Sequence, residues 1–201
     1  MTRHSLARRA LLTAGALLPL PALAQGGIGA VEALRGAAVA EAAGRRRDLA
    51  LAMPVFDGDL VSTDEQARMT LRIAEAIEVR LGGGVRLRID RFLARAGGTL
   101  VLERGGMLVD RAARGGAAPP GLAVRSPFGL IAVRGTRFFA GPSNGVFGVF
   151  VERGAVLLSG ADQGVEILPG FGAEIAQPGA PPTAPALWSA PRIEAALASV
   201  S

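Results

Sequence analysis

Carboxylates and arginines supply nearly all the reactive chemistry available to this chain. Within its 201 residues all 22 basic residues are arginine, Lys, Cys and Tyr are absent, and His4 is the only histidine. Without cysteine there is no disulfide, no thiolate nucleophile and no iron–sulfur ligand. Catalysis would therefore have to rest on carboxylates and arginine.

The acids with the most suggestive spacing are Asp57 and Asp59, with Glu75 further along the chain. Two carboxylates that face one substrate can act as general acid and base, as in glycosidases, and oxygen ligands also suit a calcium loop. The same Asp-Gly sequence is a common turn signal, which we favour here. We predict no catalytic residue, no metal and no cofactor, and keep a carboxylate-only glycosidase as the enzymatic alternative.

The arginines concentrate between residues 68 and 95, where seven of them face three acids and the local net charge is +4. Those expected on the solvent faces of alternating strands are Arg68, Arg72, Arg86 and Arg88. Such a surface could bind an anionic glycan, lipid head groups or an acidic protein. The alternative is an ordinary solvated face, which must be arginine-rich in a chain without lysine.

Residues 1–24 have the features of a cleavable secretory signal. Arg3, Arg8 and Arg9 precede an apolar stretch at residues 10–24, and Ala22 and Ala24 form a small-x-small cleavage site before Gln25. Fifteen apolar residues fall short of the ~20 needed to span a membrane, so we predict no permanent anchor. The pair Arg8-Arg9 leaves the twin-arginine and general secretory routes both open.

Cleavage after Ala24 would remove His4 and three arginines, which lowers the formal net charge from +5 to +2. The mature chain would then have no histidine, and thus no Ser–His pair or imidazole metal ligand. Nucleic acid is not expected as a partner, because this charge is small and aromatic residues are only 4% of the chain.

The rest of the chain has an all-β pattern, with 28 Gly and 13 Pro separating short apolar segments. Residues 68–73 and 85–90 alternate apolar with polar side chains, whereas residues 146–151 and 155–158 are apolar on both faces and should be covered on each side. The fold class predicted is a two-layer sandwich of short strands or a solenoid-like stack. The triple arginine at residues 45–47 is predicted to be a turn.

The C-terminal part of the sequence departs from this pattern. Residues 25–177 form the predicted β domain, and residues 178–201 a proline-rich connector followed by a short helix. Ser189 is the expected N-cap and Pro191 lies in the first turn. Trp188 should help to dock this segment on the sheets.

Three stretches, in this order, resemble the FecR domain of bacterial envelope proteins. The first begins at residues 31–39, where Gly36 matches the family's glycine between two opening strands, and continues with residues 53–63. There the side chains that match a block of the form L-x-x-G-D-x-V-x-T are Gly58, Asp59, Val61 and Thr63. The second, residues 67–81, is similar to the family's hairpin, but Glu75-Ala76 stands where Asp-Gly is usual.

The third stretch, residues 124–138, is the most diagnostic. It resembles v-x-T-P-x-g-x-x-x-v-R-G-T-x-F, and the matching residues are Pro127, Arg134, Gly135 and Thr136. Arg134 could present its guanidinium to a ligand, although a structural role for this segment is the interpretation we favour. The resemblance as a whole extends over residues 29–175.

This resemblance implies an all-β periplasmic domain. Family members known from iron-uptake signalling relay the state of an outer-membrane receptor to a cytoplasmic sigma factor. We expect this chain to lack their cytoplasmic anti-sigma segment, because only nine residues precede the apolar stretch. The predicted function is a non-enzymatic, exported binding, scaffolding or signalling-accessory module with an envelope protein as partner; the alternative is a binder of anionic envelope glycans. The residues leave open any part in sigma-factor signalling.

Overall fold

The computed structural model describes residues 26–93, 97–111 and 121–201, with the side chains of residues 92, 93 and 134 excepted. The predicted signal and its cleavage site at Ala22, Ala24 and Gln25 lie outside the described residues. The strands are β1 (Gly29–Arg35), β2 (Ala38–Ala42), β3 (Arg45–Asp48), β4 (Pro54–Val55), β5 (Leu60–Thr63), β6 (Arg68–Ile73), β7 (Ile77–Leu81), β8 (Arg86–Leu93), β9 (Gly97–Arg104), β10 (Met107–Arg111), β11 (Gly121–Ser126), β12 (Gly129–Ser143), β13 (Val146–Gly160), β14 (Gln163–Ile167), β15 (Phe171–Ile175) and β16 (Ala186–Leu187). One helix, α1 (Ala190–Ala198), follows them.

The strands form one hydrogen-bonded sheet with two arms that meet at β12. The first arm runs β3-β2-β5-β8-β9-β11 up to β12, and the second continues from β12 through β10-β7-β6-β1-β4. β13 pairs with β12, β14 and β15, and β15 also pairs with β16. The β9–β11 pair is parallel, and the other strand pairs among the described residues are antiparallel.

The two arms share a single hydrophobic core. Ala40, Leu87 and Leu100 of the first arm belong to the same buried cluster as Leu71 and Val79 of the second. The sheet is therefore folded over on itself, and successive segments of the chain alternate between its arms. This arrangement confirms the predicted all-β class, and it combines a two-layer core with a solenoid-like winding of the chain.

Alternating side chains place β6 and β7 with one face on this core. Leu71 and Ile73 are fully buried, whereas Thr70 and Arg72, which alternate with them, are partly exposed. Each apolar side chain buried in this way contributes about 1.5–3 kcal/mol of transfer free energy. Here the period-2 pattern of the sequence predicted the structure correctly.

The β6–β7 hairpin forms even though the usual Asp-Gly is missing. Ile73 and Ile77 are opposite each other, and the loop between them places Ala74 at φ 47° and Glu75 at φ 58°. Residues other than glycine rarely adopt these left-handed conformations. Packing of the two isoleucines, both buried, offsets this local strain.

β12 and β13 form a long hairpin that links the arms. A register shift lies between Arg134 and Arg137, and Gly135 and Gly154 have φ of 63° and 82°. A Cβ on Gly154 would lie 2.6 Å from the carbonyl oxygen of Gly135. These paired glycines therefore allow the hairpin to bend at the point where β12 passes from one arm to the other.

The C-terminal segment covers the outer face of this hairpin. Trp188 is 7% exposed and stacks on Phe150 with 5.2 Å between ring centroids. Gly148 and Gly172 leave room for the indole, since a Cβ at Gly172 would lie 2.2 Å from Trp188 Nε1. Ala196 of α1 packs in the same cluster, so the predicted docking role of Trp188 is confirmed.

The two-sided burial predicted for β13 is correct for its first half and wrong for its second. Residues 147–151 are all buried, one face by the core and the other by Trp188. Leu157, however, is 47% exposed, because the C-terminal segment does not extend over that half of the strand. The prediction for residues 45–47 was also wrong, since they belong to the edge strand β3.

Candidate binding cleft

The strongest candidate for a functional site is a surface cleft of about 330 Å³ whose lining is mostly apolar. Its floor includes Phe128, which stacks on Phe147 with ring centroids 4.7 Å apart and planes 4° apart. Pro127, Pro142 and Val146 contribute to the walls. The lining is completed by Leu102, Glu103, Arg104, Gly105, Gly145 and Ala176.

A serine turn positions the aromatic floor. The Ser126 hydroxyl accepts hydrogen bonds from the amides of Phe128 and Gly129, both at 3.2 Å, and so closes the turn between β11 and β12. This turn holds Phe128 over Phe147 at the start of β13. Pro127, which the sequence identified as a motif residue, thus becomes a wall of the cleft.

Charged side chains gather at one rim of the cleft. Glu103 accepts a hydrogen bond from Arg86 Nε at 3.2 Å and another from Arg88 Nη2 at 3.1 Å. Arg104 donates instead to the Gly84 carbonyl at 3.0 Å. Glu103 and Arg104 line the cleft, and Arg86 and Arg88 adjoin it through their bonds to Glu103. Three arginines against one carboxylate leave this edge positive, and Arg86 and Arg88 remain 43% exposed.

The other two predicted surface arginines lie elsewhere. Arg68 and Arg72 are on β6, in the second arm, whereas Arg86 and Arg88 are on β8 in the first. Arg72 binds Glu32 at 2.7 Å and Glu78 at 3.1 Å, and the hydrogen bond that it donates to Glu32 raises the pKa of its guanidinium. The structure therefore divides the predicted basic surface into two separate sites.

The first motif has a structural arrangement. Asp59 is 1% exposed, and its Oδ2 accepts hydrogen bonds from Arg47 and, at 2.8 Å, from the Phe56 amide. Thr63 donates to the Gly82 carbonyl at 2.8 Å and accepts from the Val85 amide at 2.9 Å. The bonds of Asp59 hold the turn that contains Gly58, and those of Thr63 tie the end of β5 to the loop between β7 and β8. Val61 is fully buried in the core.

The third motif serves the bend of the long hairpin. Thr136 is fully buried and donates to the Ala155 carbonyl at 2.8 Å. Gly135 supplies the left-handed conformation beside it. The side chain of Arg134 lies outside the described residues, although its backbone pairs with Ala155.

The candidate catalytic acids do not assemble into one site. Asp59 is buried against Arg47 in the first arm, while the exposed Glu75 lies in the β6–β7 loop of the second. Asp57 is exposed at the turn before Asp59. Over the ranges that the structure describes, no group of three or more His, Asp or Glu side chains could hold a metal ion.

Sequence reasoning missed the cleft itself. Its walls come from residues 102–105, 127–128, 142–147 and 176, which only the folded sheet brings together. The sequence signal that could have pointed to the cleft was the Ser-Pro-Phe turn, which was interpreted as a family motif and not as part of a binding site.

In the described part of the chain no helix is long and apolar enough to cross a membrane.

Comparisons with known proteins agree with this fold. Residues 59–157 match the family model described as FecR protein, a range that contains the motif residues from Asp59 to Thr136. No curated protein is significantly similar to the chain in sequence.

Solved structures provide a second comparison. Two crystal structures of a candidate anti-sigma factor from Parabacteroides distasonis, at 1.65 and 2.50 Å resolution, each give a TM-score of 0.57 at 15% sequence identity. The alignments cover 69% of this chain and 64% or 63% of the other. The chain thus spans slightly less than two thirds of the length of these structures, and the likeness concerns the fold alone.

The folded sheet and its apolar cleft define an all-β domain with a surface suited to binding. Residues 59–157 of this domain are the part that matches the FecR family model. The chain carries a domain of the FecR family.

Proposed function

We propose that this protein is an exported, non-enzymatic binding module that acts as a signalling accessory in the bacterial envelope. The FecR domain and its anti-sigma-factor-like fold support the signalling role. The basic leader and the Ala22-x-Ala24 site support export to the periplasm with cleavage before Gln25. The anti-sigma name belongs to the Parabacteroides distasonis protein, and for this chain we propose only an accessory role in signalling.

The observation that carries the proposal is the cleft at Phe128. An apolar floor with a positive rim suits a segment of a partner protein that presents an apolar side chain next to an acidic one. Arg86 and Arg88 would engage the acid, and Phe128 and Val146 the apolar group. A half-exposed pair of arginines that share one carboxylate still has donors free for a second, because each guanidinium has five N–H groups.

A photo-reactive amino acid placed at Val146 in the full chain tests this assignment. When the substituted protein is produced in the source bacterium, it should cross-link to one envelope protein in the periplasmic fraction. In the cross-linked product, the chain that carries the photo-reactive residue should begin at Gln25. The matched control is the same amino acid at Leu51, which is 68% exposed and lies away from the cleft. Equal cross-linking from both positions, or an uncleaved protein in the cytoplasm, would contradict the proposal.

The glycan alternative predicts a different result. Substitution of Arg86 and Arg88 by Ser would then abolish retention on an anionic polysaccharide column, with no protein cross-link at Val146. Most of the cleft lining is apolar and suits an apolar protein side chain better than a charged polysaccharide, so we favour the protein partner.

A further inference from the structure

A second cleft, of about 550 Å³, lies on the outer face of β1, β6 and β7. Its charged lining consists of three arginines, Arg35, Arg68 and Arg80, and two acids, Glu32 and Glu78. Thr70, and Val200 and Ser201 after α1, also line it. It shares no lining residue with the cleft at Phe128, and nothing in the proposed function makes use of it. We call it the Arg35 cleft.

Two like charges face each other in the Arg35 cleft. Arg35 of β1 and Arg68 of β6 are direct cross-strand partners, so their side chains emerge on the same face. Like charges in directly opposite positions destabilise a sheet. Within the described ranges neither guanidinium forms an ion pair, so this repulsion has no internal counterion.

Arg68 also has unused hydrogen-bonding capacity. Its Nη1 donates to the Ala67 carbonyl at 2.8 Å, but its Nε is buried without a partner. A buried donor without a partner costs about 1–3 kcal/mol, so an acceptor there would be strongly favoured. Arg35 and Arg68 thus form a pair of like charges, and Arg68 Nε has no acceptor among the described residues.

The acids nearby are already engaged with other arginines. Glu78 binds both Arg72 and Arg80, at 3.1 Å and 2.8 Å, and Glu32 binds Arg72. The two carboxylates therefore match Arg72 and Arg80, and the charges of Arg35 and Arg68 remain uncompensated. Thr70, on the same face of β6 as Arg68, adds a hydroxyl to the lining.

We propose that the Arg35 cleft binds a phosphate group, free or carried on a lipid head group. The planar forks of two guanidinium groups match phosphate oxygens bidentately, and a dianionic phosphate balances two positive charges where a carboxylate balances one. Arg35 and Arg68 bind the oxygens from neighbouring strands, a rotation of the Arg68 side chain brings its buried Nε to an acceptor, and Thr70 donates its hydroxyl proton. This site is independent of the cleft at Phe128.

Inorganic phosphate is the first probe, titrated into the full chain by calorimetry and by thermal unfolding. At about ten times its dissociation constant, phosphate should raise Tm by about 3 °C. Arg35→Ser and Arg68→Ser should each weaken phosphate binding about tenfold or more. The matched control is Arg125→Ser, an exposed strand arginine of β11, which should leave binding unchanged.

The unliganded stability of the same variants gives a second, opposite readout. Because Arg35 and Arg68 repel each other, Arg35→Ser should raise Tm in phosphate-free buffer while it greatly reduces the phosphate-dependent increase. A variant that merely failed to fold would lower Tm in both conditions. Equal loss of binding in Arg125→Ser, or an increase in Tm that survives both substitutions, would overturn the proposal.

Vesicles distinguish the two sources of phosphate. Retention by vesicles that contain phosphatidic acid, whose phosphomonoester can carry two negative charges, competed by inorganic phosphate and lost in Arg68→Ser, supports a lipid head group. Binding of inorganic phosphate without vesicle retention supports a free phosphate ligand. Absence of binding to both probes refutes the site, whatever the outcome at Val146.

Discussion

Asp59 illustrates at the residue scale how a candidate catalytic acid acquires a structural role. Its carboxylate is buried and accepts hydrogen bonds from Arg47 and the Phe56 amide. Both of these donors belong to the fold, so its hydrogen bonds hold the turn at Gly58 in place. A structural role of Asp59 in this turn is enough to explain its place in the family motif, and no catalytic role is needed.

Substitution of Asp59 by Ala should therefore destabilise the fold. Loss of the charge-assisted hydrogen bonds should lower the free energy of unfolding by about 2 kcal/mol, measured by urea denaturation. Asp48→Ala, at an exposed site on the edge strand β3, serves as the control and should cost less than about 0.5 kcal/mol. Equal effects of the two substitutions would show that Asp59 does not stabilise the turn.

Arg111 is the opposite case, a charge whose burial the fold does not compensate. It is 2% exposed, and Nη1 donates to the Val133 carbonyl at 3.3 Å, while Nε and Nη2 have no partner among the described residues. Burial lowers the pKa of this guanidinium below its ordinary value. The folded state thus disfavours the protonated form, and the penalty is present at every pH below the folded pKa and is relieved only above it.

Arg111→Met should consequently raise the free energy of unfolding, by about 1–3 kcal/mol. The gain should be the same across the neutral pH range, since the arginine remains protonated throughout it. Urea denaturation at several pH values measures both features. A loss of stability in the methionine variant would mean that the guanidinium has a favourable role in the fold.

At the element scale, the long β12–β13 hairpin depends on two glycines that differ in their surroundings. Gly135 and Gly154 both have positive φ, but only Gly154 has atoms within 4 Å of an added Cβ. Gly135→Ala should cost about 1 kcal/mol from backbone strain, and Gly154→Ala about 1–3 kcal/mol more from the clash. Chemical denaturation of the matched pair measures the difference, and equal costs would refute close packing at the bend.

The docking of the C-terminal segment has its own reporter in the only tryptophan. A Cβ at Gly172 would overlap the Trp188 indole, so Gly172→Ala should displace it from Phe150. We expect a red shift of tryptophan emission and a loss of about 2–4 kcal/mol, since a buried aromatic is partly exposed. Gly179→Ala, at a turn with no atom near the added Cβ, should leave the emission unchanged. An unchanged spectrum in the Gly172 variant would contradict the docking.

Elements defined by local pattern were predictable, and those defined by pairing were not. Alternation identified β6 and β7, and Ser189, Pro191 and Trp188 identified the helix and its docking. The order of the strands depends on contacts distant in sequence, so the separation of Arg72 from Arg86 was invisible. The same holds for both clefts, whose walls come from several elements.

At the scale of the whole molecule, the sheet serves as a scaffold that presents two different surfaces. One is an apolar cleft with a positive rim at Glu103, and the other is the Arg35 cleft. The C-terminal segment is integral to this scaffold, since Trp188 covers β13 and Val200 reaches the Arg35 cleft. We therefore expect truncation before Trp188 to impair the fold, so functional tests should use the whole chain.

The central claim is that the cleft at Phe128 holds the protein partner, and a single affinity measurement tests it most directly. With the partner identified by cross-linking from Val146, its affinity for the purified protein should fall at least about tenfold in Val146→Glu. The new carboxylate would lose its hydration against the partner's apolar side chain and would repel the partner's acid. Leu51→Glu should bind as the wild type does. Unchanged affinity in Val146→Glu, with the protein folded, would place the partner elsewhere and contradict the account.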